Sequence, residues 1–249
     1  MERTPHVVVF GATSAIAEAC ARIWAGRGAR LHLVGRDAAK LEAIAADLTV
    51  RGAGEVRILA MDLAQAAEFG PALARIVDAF GPPDVALIAW GTLTDQARAE
   101  GDPAYLVQEL GNNFVAPAAL LAGLARIMAE RGSGVLACIT SVAGLRGRAS
   151  NFVYGSAKGG LQRFLEGLRH RLHGTGVAVL DIRPGFVKTA MTAHLPQGGP
   201  LWAESAQVAS DILRAIDRKK AVLYTPWFWR FVMLVIRSLP QAVIHRTKL

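Results

Sequence analysis

The chain has 249 residues, of which 52% are hydrophobic and 19% are charged. This composition supplies enough apolar side chains for a full-sized core and excludes a disordered protein. Lys and Arg outnumber Asp and Glu by 28 to 20, but residues 218–249 hold seven of the bases and no acid. The body is therefore almost neutral, which argues against nucleic-acid binding, because that function needs a basic face on the folded domain.

The two cysteines, Cys20 and Cys138, lie far apart in apolar segments. They give no disulfide framework and indicate a reducing compartment. The first apolar run, residues 7–10, is too short for the core of a secretory signal. We therefore expect a cytoplasmic protein.

Short β-branched runs alternate with longer helical stretches along residues 1–225. The predicted strands are continuously apolar, as in a parallel sheet covered on both faces: HVVVF, RLHLVG, EVRILAMD, DVALIAWG, GVLACITS, GVAVLDIRPG and AVLYTP. Glycines stand where the helices between them should end: Gly28, Gly52, Gly81, Gly132 and Gly174. The pattern predicts one α/β domain, a doubly wound parallel sheet of seven strands with helices on both faces, followed by an appendage at 226–249.

Ligands of such a sheet bind at the carboxyl ends of the strands. The first strand is followed by Gly11-Ala12-Thr13-Ser14-Ala15-Ile16-Ala17. A glycine turn that leads small residues into a helix lets backbone N–H groups meet a pyrophosphate. Alanines replace two glycines of the strict dinucleotide fingerprint, so an ordinary helix start capped by Thr13 or Ser14 remains an alternative.

Arg36 ends the second strand, directly after Gly35. A planar guanidinium at this position suits the extra phosphate of NADP, whereas an NAD site normally has a carboxylate there. We therefore expect NADPH to be preferred over NADH, with a solvated surface arginine as the alternative. Asp62 and Leu63 follow the third strand, where Asp62 would contact the adenine or cap the next helix.

A candidate catalytic group follows the fifth strand. Ser141 ends that strand, and Tyr154 and Lys158 stand four residues apart on the next predicted helix, which we expect to begin near Asn151. An ammonium beside the phenol would lower the pKa of Tyr154, so that the phenol donates a proton to a carbonyl oxygen while Ser141 donates a second hydrogen bond. The alternative is a half-buried tyrosine beside a lysine that only reaches for solvent.

A further turn follows the sixth strand, in the run Pro184-Gly185-Phe186-Val187-Lys188-Thr189. With GATSAIA, Ser141 and YGSAK, it gives the chain motifs that resemble those of the short-chain dehydrogenase/reductases along nearly its whole length. The resemblance implies a Rossmann-like sheet of order 3-2-1-4-5-6-7, a nicotinamide cofactor and the roles given above to the serine, tyrosine and lysine. It also implies that Asn113 holds a water of the proton relay.

The same resemblance implies a set of cofactor-binding residues distributed over the strand ends: Gly11, Thr13, Ser14, Ala15, Ile16, Arg36, Asp62, Leu63, Ala89, Gly91, Tyr154, Lys158, Pro184, Gly185, Val187 and Thr189. Two motifs depart from the family pattern. The glycine-rich turn keeps only Gly11, and the usual NNAG after strand four reads IAWG, in which Trp90 would narrow the cofactor channel or pack against the neighbouring turn. No metal site is expected, since His170 and His173 lack further ligands.

The appendage is apolar, aromatic at its entry and basic. Trp227 to Leu239 is too short to span a bilayer, and Arg230 and Arg237 share one stripe of a helix. Such a helix would lie in a membrane interface with Trp227 and Trp229 at headgroup level, or pack within the molecule or against a second subunit. The loop from Ala190 to Trp202 would form a mobile lid.

These features favour an NADPH-dependent reductase that converts a carbonyl to an alcohol. Residues 91–96 and the appendage are similar to the branch that reduces keto-sugars on polyprenyl phosphates, which favours a lipid-linked or other amphiphilic ketone and peripheral membrane contact. One alternative is a reductase of small ketones or acyl chains whose C-terminal helix only mediates oligomerisation. Another is a dinucleotide-binding scaffold without catalysis. In each case we expect a homo-oligomer.

Overall fold

The computed structural model describes residues 4–246. A central parallel sheet of seven strands has the order β3-β2-β1-β4-β5-β6-β9. Its strands, in chain order, are β1 His6–Phe10, β2 Arg30–Gly35, β3 Glu55–Ala60, β4 Val85–Ile88, β5 Gly134–Ile139, β6 Val177–Pro184 and β9 Val222–Thr225. The predicted seven-stranded Rossmann-like sheet is thus confirmed, with the predicted seventh strand in β9.

The principal helices cover both faces of the sheet. In chain order, the α-helices of the described residues are α1 Ala15–Gly26, α2 Ala38–Val50, α3 Phe69–Phe80, α4 Gln96–Gly101, α5 Pro103–Leu110, α6 Ala116–Arg131, α7 Phe152–Arg171, α8 Ser205–Asp217, α9 Trp229–Ser238 and α10 Gln241–Ile244. All five glycines expected at helix ends have a positive φ, between 73° and 99°. Only glycine adopts that conformation without steric cost, which is why these helices stop where they do.

Two apolar clusters lie on opposite faces of the sheet. One packs α1, α2 and α8 against side chains such as Val7 and Leu33, and the other packs α3, α6 and α7 against side chains such as Val8 and Leu136. Alternate residues of β1 therefore point to opposite faces, and both faces are buried. This double burial explains why the strands are continuously apolar in sequence.

The helical stretch Pro103–Arg131 is long and apolar enough to cross a membrane by length and composition. In this fold it is a helix of the core, because Leu120, Leu121, Leu124 and Met128 are wholly buried against the sheet and its neighbours. Length and hydropathy therefore say little about its location. Core helices of other folded proteins have the same composition.

A second, two-stranded sheet was not predicted. It joins β7 Phe186–Lys188 to β8 Trp202–Glu204 in parallel register. The loop expected to form a lid lies between these strands and contains a short 3₁₀ helix, Ala190–Thr192. Three-residue strands are difficult to recognise in sequence, since one alternating pair of residues gives no periodicity.

Candidate active site

The turn after β1 passes directly against the end of β4. Gly11 has a φ of 79°, and its N–H donates to the Val34 carbonyl over 2.8 Å. A Cβ on Gly11 would lie 2.8 Å from both Cβ and the backbone N of Trp90. The backbone and Cβ of Trp90 therefore lie against this turn, and a glycine is required at the contact.

The first turn of α1 has a helix cap and an exposed edge. Ser14 Oγ accepts a hydrogen bond from the N–H of Ala17 at 3.4 Å, so Ser14 is the cap residue. Thr13 and Ala15 are exposed, whereas Ile16 is buried in the core. The backbone N–H groups that begin a helix have no intrahelical acceptor, so capping by Ser14 leaves further donors for an anion.

Arg36 and Asp37 end β2 with different roles. Gly35 is buried, and Arg36 beyond it is exposed. Asp37 caps α2 by accepting from the Lys40 N–H over 3.1 Å, and this hydrogen bond holds the pKa of its carboxyl below the usual range. The carboxylate of Asp37 is thus bound to its own helix although its side chain is 46% exposed, and the exposed guanidinium of Arg36 lies directly before it in the chain.

Asp62 does not cap α3. Its Oδ1 accepts from the Ala64 N–H at 3.1 Å in a local turn, and the 3₁₀ helix Ala66–Glu68 then separates it from the start of α3. The capping alternative is therefore wrong, because the chain makes an extra turn before the helix. Leu63 is buried in the core, so its side chain serves packing.

Ser141, Tyr154 and Lys158 come together between β5 and α7. The helix begins at Phe152 with Asn151 as cap residue, as expected. The side chains of Ser141 and Tyr154 are hydrogen-bonded. Lys158 is 3% exposed, and its Nζ lies 5.8 Å from the centroid of the Tyr154 ring. The three predicted catalytic groups therefore form one cluster.

Two glycines, Gly144 and Gly155, allow this approach. The 3₁₀ helix Val142–Leu145 follows Ser141 and lies against α7. A Cβ on Gly144 would be 2.6 Å from the backbone N of Gly159, and one on Gly155 would be 3.1 Å from the Ala143 carbonyl oxygen. The small residues around Tyr154 and Lys158 thus let the serine loop reach the tyrosine.

Burial changes the proton affinities of this cluster. It raises the pKa of Tyr154 to about 12, although the hydrogen bond from Ser141 acts in the opposite direction. It lowers the pKa of Lys158 because an ammonium is destabilised away from water. The lowered pKa expected for Tyr154 is therefore wrong for this structure, since desolvation of the phenolate outweighs the favourable contacts. Lys158 Nζ instead donates to the Ile139 carbonyl at 3.4 Å.

Asn113 reaches the same cluster from the helix after β4. It lies in a π-helical turn, Gly111–Val115, and is wholly buried. A Cβ on Gly91 would lie 2.7 Å from Asn113 Oδ1 and 3.2 Å from Lys158 Nζ. The amide oxygen and the ammonium thus converge beside Gly91, where a larger residue would separate them.

The end of β6 carries the Pro184-Gly185 turn. The Gly185 N–H donates to the Thr225 carbonyl at 3.0 Å. Its Cα lies against a tryptophan, because an added Cβ would be 1.8 Å from Trp229 Nε1. Val187 is buried in β7, and Thr189 caps the 3₁₀ helix at the start of the loop. This turn is therefore fixed from both sides.

Helix α9 forms one wall beside Ser141. Its inner face, Trp229 and Met233, is buried against Val142, with Leu145 and Ile236 around them. The expectation that Trp229 lies at headgroup level is thus wrong, since Trp229 is only 5% exposed. Trp227 is 72% exposed. Part of the C-terminal segment therefore packs within the molecule, as one alternative for it held.

Two buried polar residues near the cluster were not predicted. Gln162 follows Lys158 by one turn of α7 and donates to the Ser141 carbonyl oxygen at 2.7 Å. Glu109 precedes Asn113 by one turn and accepts from Thr92 and Thr94. Their positions four residues from a catalytic candidate were the available signal, because i and i+4 share a helix face.

The strand ends described above fit a nicotinamide dinucleotide. The close approach at Gly11 shapes a narrow turn, the first turn of α1 offers backbone donors, and Gly91 leaves the space beside Lys158 that a Cβ would fill. Arg36 lies exposed at the neighbouring strand end. Arg36, the α1 turn and Lys158 would hold its phosphates and riboses.

Comparisons with known proteins agree with this geometry. The family model for short chain dehydrogenases matches residues 5–199. An uncharacterized oxidoreductase of Mycobacterium tuberculosis is 42% identical over 240 residues, covering 96% of both chains. Dehydrogenase/reductase SDR family member 7B of Mus musculus is 30% identical, covering 98% of this chain and 80% of its own.

Solved structures show the same fold. A short-chain dehydrogenase from Sphingobium yanoikuyae, in complex with NADPH, has a TM-score of 0.81 at 24% identity and covers 96% of this chain and 97% of its own. A short chain dehydrogenase/reductase family protein has a TM-score of 0.77 at 26% identity, covering 90% and 97%. The chain therefore belongs to the short-chain dehydrogenase/reductase family and is an NAD(P)-dependent oxidoreductase.

Proposed function

We propose that the protein is an NADPH-dependent reductase that converts the ketone of an amphiphilic, lipid-linked substrate to an alcohol at a membrane surface. The hydrogen-bonded pair of Ser141 and Tyr154 beside the apolar wall of α9 carries this proposal. Membership of an oxidoreductase family argues against the scaffold alternative. A keto-sugar on a polyprenyl phosphate is the substrate class that we favour.

The protonation of Tyr154 suits its role as a proton donor. A phenol with a pKa near 12 is protonated at neutral pH, which is the state needed to protonate a carbonyl oxygen. The reverse reaction would need a phenolate to remove the alcohol proton. The burial that raises this pKa therefore keeps Tyr154 in the protonated form that the proposed reduction begins from.

The chain's own residues act on the carbonyl oxygen and on the proton. Tyr154 Oη donates its proton to that oxygen, and Ser141 Oγ stabilises the developing charge with a second hydrogen bond. Lys158, whose pKa is lowered by burial, returns a proton toward the tyrosinate. A bound nicotinamide dinucleotide supplies the hydride.

The preference for NADPH rests on the end of β2. The carboxylate of Asp37 is engaged with the Lys40 N–H, while the guanidinium of Arg36 is exposed next to the buried Gly35. A ribose 2′-phosphate pairs well with a guanidinium, and a free carboxylate at this point would repel it.

The amphiphilic substrate is supported by an aromatic path beside the cluster. Ring centroids are 5.1 Å apart between Phe186 and Trp202 and 5.5 Å apart between Phe186 and Trp229. From Trp229 the contacts continue through Phe228 to Trp227 and Phe231, with spacings of 6.0 to 6.3 Å. An apolar chain lying along these rings would place its polar head near Gly185.

Membrane contact is supported by the outer face of α9. Phe231, Leu234 and Val235 are 57–62% exposed, and they share a face at helical spacing with Trp227. The helix carries Arg230 and Arg237 and no acid. An exposed apolar stripe flanked by bases suits an anionic bilayer, in which each base near the surface contributes roughly 1 kcal/mol.

The catalytic proposal is tested by NADPH oxidation with polyprenyl-phosphate keto-sugars and with short ketones. Tyr154→Phe keeps the ring and removes the proton donor, so turnover should fall by about 10²- to 10⁴-fold. NADPH binding, followed by its fluorescence, should persist. Full turnover in Tyr154→Phe would contradict the mechanism. Equal kcat/KM values of the wild type for short ketones and for polyprenyl-phosphate keto-sugars would contradict an amphiphilic substrate.

The membrane proposal is tested by flotation with vesicles of phosphatidylglycerol and phosphatidylcholine. The triple variant Phe231→Ser, Leu234→Ser, Val235→Ser should lose vesicle binding. A matched control, Val50→Ser with Val107→Ser, changes residues that are 90% and 66% exposed elsewhere and should keep it. Equal vesicle binding of the triple variant and the control would contradict the proposal. A triple variant that changes from dimer to monomer on size-exclusion chromatography but still binds vesicles would also contradict it.

A further inference from the structure

Glu109 is a buried carboxylate close to the catalytic cluster that has no part in the steps above. It lies at the end of α5, one turn before Asn113, and is 5% exposed. Its Oε2 accepts the hydroxyl of Thr92 at 2.8 Å and that of Thr94 at 2.7 Å. Both threonines belong to the loop after β4, so the carboxylate ties that loop to the helix that carries Asn113.

Thr92 connects this carboxylate to Asn113. A hydroxyl has one proton to donate, and Thr92 gives it to Glu109. The lone pairs of the same oxygen then face the side-chain amides of Asn113, at 3.0 Å, and Asn112, at 3.1 Å. Glu109 therefore sets the direction of the hydroxyl, and the hydroxyl draws in the NH₂ end of the Asn113 amide.

The opposite end of that amide faces the catalytic cluster. Asn113 Oδ1 accepts the Thr92 backbone N–H at 3.1 Å. This is the atom that converges with Lys158 Nζ beside Gly91. An amide has two ends of similar size and opposite hydrogen-bonding character, so its direction is decided by its partners. Here they direct the oxygen, an acceptor, toward the lysine side.

Asn113 also contacts Glu109 directly. Asn113 Nδ2 also donates to the Glu109 carbonyl oxygen at 3.2 Å and lies 3.4 Å from Oε2. The π-helical turn Gly111–Val115 begins directly after this contact. Such turns interrupt the regular i to i−4 pattern and are frequent at functional sites. Glu109 thus contacts Asn113 through both its backbone and its side chain.

We infer that Glu109 is a positioning residue for the reduction: through Thr92 its carboxylate fixes the Asn113 amide with Oδ1 on the Lys158 side. This inference rests on the proposed function, in which Lys158 returns a proton toward Tyr154. With an apolar residue at 109, the Thr92 hydroxyl is free to rotate and donate elsewhere. The Asn113 amide then keeps its two backbone partners, the Thr92 N–H and the Glu109 carbonyl, but its contact with the Thr92 hydroxyl is no longer held in one direction and its contact with Oε2 is lost.

The test compares two substitutions of Glu109. Glu109→Leu removes the acceptor, and kcat for NADPH-dependent reduction should fall at least tenfold while KM for NADPH stays within about twofold of wild type. Glu109→Gln keeps an oxygen that accepts both hydroxyls, so kcat should return to within threefold of wild type and the pH profile should keep its shape. A purely structural role would lower the melting temperature without this split between kcat and KM.

A matched pair of threonine variants keeps the inference testable if Glu109→Leu fails to fold. Thr92→Val and Thr94→Val each remove one hydroxyl from Glu109 Oε2, but only Thr92 contacts Asn113. We expect a tenfold larger loss of kcat in Thr92→Val at similar melting temperatures. Equal kcat in the two variants would overturn the inference.

Tyr154→Phe, measured in parallel, separates this inference from the proposed function. Wild-type turnover in Glu109→Leu together with an inactive Tyr154→Phe would overturn the role of Glu109 alone. If wild type and Tyr154→Phe have the same turnover, the proposed mechanism fails, and the positioning role fails with it.

Discussion

The two halves of the site are built in different ways. At the ends of β1 and β2 the candidate binding groups are backbone donors and exposed side chains, including Thr13, Ala15 and Arg36. Around β5 and α7, Asn113 and Lys158 are buried, at 0% and 3% exposure, and Ser141 and Tyr154 are half-buried. The first half is an edge that a ligand completes, and the second is a polar network already joined by protein contacts.

The difference has a physical reason. A phosphate-binding edge must leave its donors and its guanidinium without protein partners, so that a ligand can take those places. A proton-transfer site must hold its groups in one arrangement and away from water, which makes every unpaired polar atom costly. Substitutions in the first half should therefore weaken cofactor binding, whereas substitutions in the second half should lower turnover or the stability of the fold.

The largest effect is expected for Lys158. Lys158→Met keeps the length of the side chain and removes its charge, so that no ammonium returns a proton toward Tyr154. We expect kcat to fall by about 10²- to 10⁴-fold. Steady-state NADPH oxidation measures the loss, and circular dichroism provides the control for folding. Unchanged kcat would show that the buried half does not depend on its lysine.

Arg36 tests the exposed half. Arg36→Ala would remove the proposed charge-assisted hydrogen bond to the 2′-phosphate, worth about 1.5–3 kcal/mol, which corresponds to a rise of roughly 10- to 100-fold in KM for NADPH. Because Arg36 lies on the surface, kcat and the melting temperature should change little. Lys40→Ala on the adjacent helix is the matched control, since Lys40 pairs with Asp37 on the surface. Equal effects on NADPH and NADH would contradict the preference for the phosphate.

The half of the site built on β1 and β2 also has a buried polar pair, which lies on these two strands away from their carboxyl ends. His6 Nε2 and His32 Nδ1 are 3.1 Å apart, and burial lowers the pKa of each histidine from 6.5 to about 4. The unfolded chain therefore binds more protons between those values. Stability should be fully present above about pH 6.5 and decline as the pH falls toward 4, by roughly 1–3 kcal/mol between pH 7 and 5.

Urea unfolding at both pH values measures this decline. The double variant His6→Gln, His32→Gln has no imidazole to titrate, and its urea midpoint should depend less on pH. A wild-type midpoint that does not change between pH 7 and 5 would contradict the shifted pKa values.

The smallest effects concern two glycines near the catalytic half. Gly144→Ala would bring a Cβ to 2.6 Å from the Gly159 nitrogen, so we expect a loss of about 1–3 kcal/mol in stability together with lower kcat. Gly167→Ala, farther along α7, has nothing within 4 Å of the new Cβ and should stabilise the helix by about 0.5–1 kcal/mol. Thermal melts of both variants test whether the close approach of Gly144 to Gly159, and not helix propensity, determines the stability change at residue 144.

The same contrast explains what the sequence could predict. The seven strands followed from apolar runs, because a doubly wound sheet repeats one local pattern. Their order across the sheet came from the resemblance to the short-chain dehydrogenase/reductases. Ser141, Tyr154 and Lys158 were recognisable as reacting groups at fixed spacing. Glu109, Gln162 and Trp229 were missed as parts of the site, since their roles depend on partners 15 or more residues away in the chain. The sign of the Tyr154 pKa shift was also missed, because it depends on burial.

The contact of Trp229 with Gly185 has a consequence for how this enzyme can be altered. A shortened protein that ends before α9 would lose the exposed apolar stripe of that helix. It would also uncover the end of β6 at Gly185 and the loop after Ser141. A deletion therefore cannot separate an effect on membrane binding from an effect on catalysis. The two faces of α9 are nevertheless independent in sequence, since residues 231, 234 and 235 are exposed while residues 229 and 233 are buried. Under the proposed membrane role, variation on the outer face would therefore change binding to a bilayer while the contacts of the inner face stay the same.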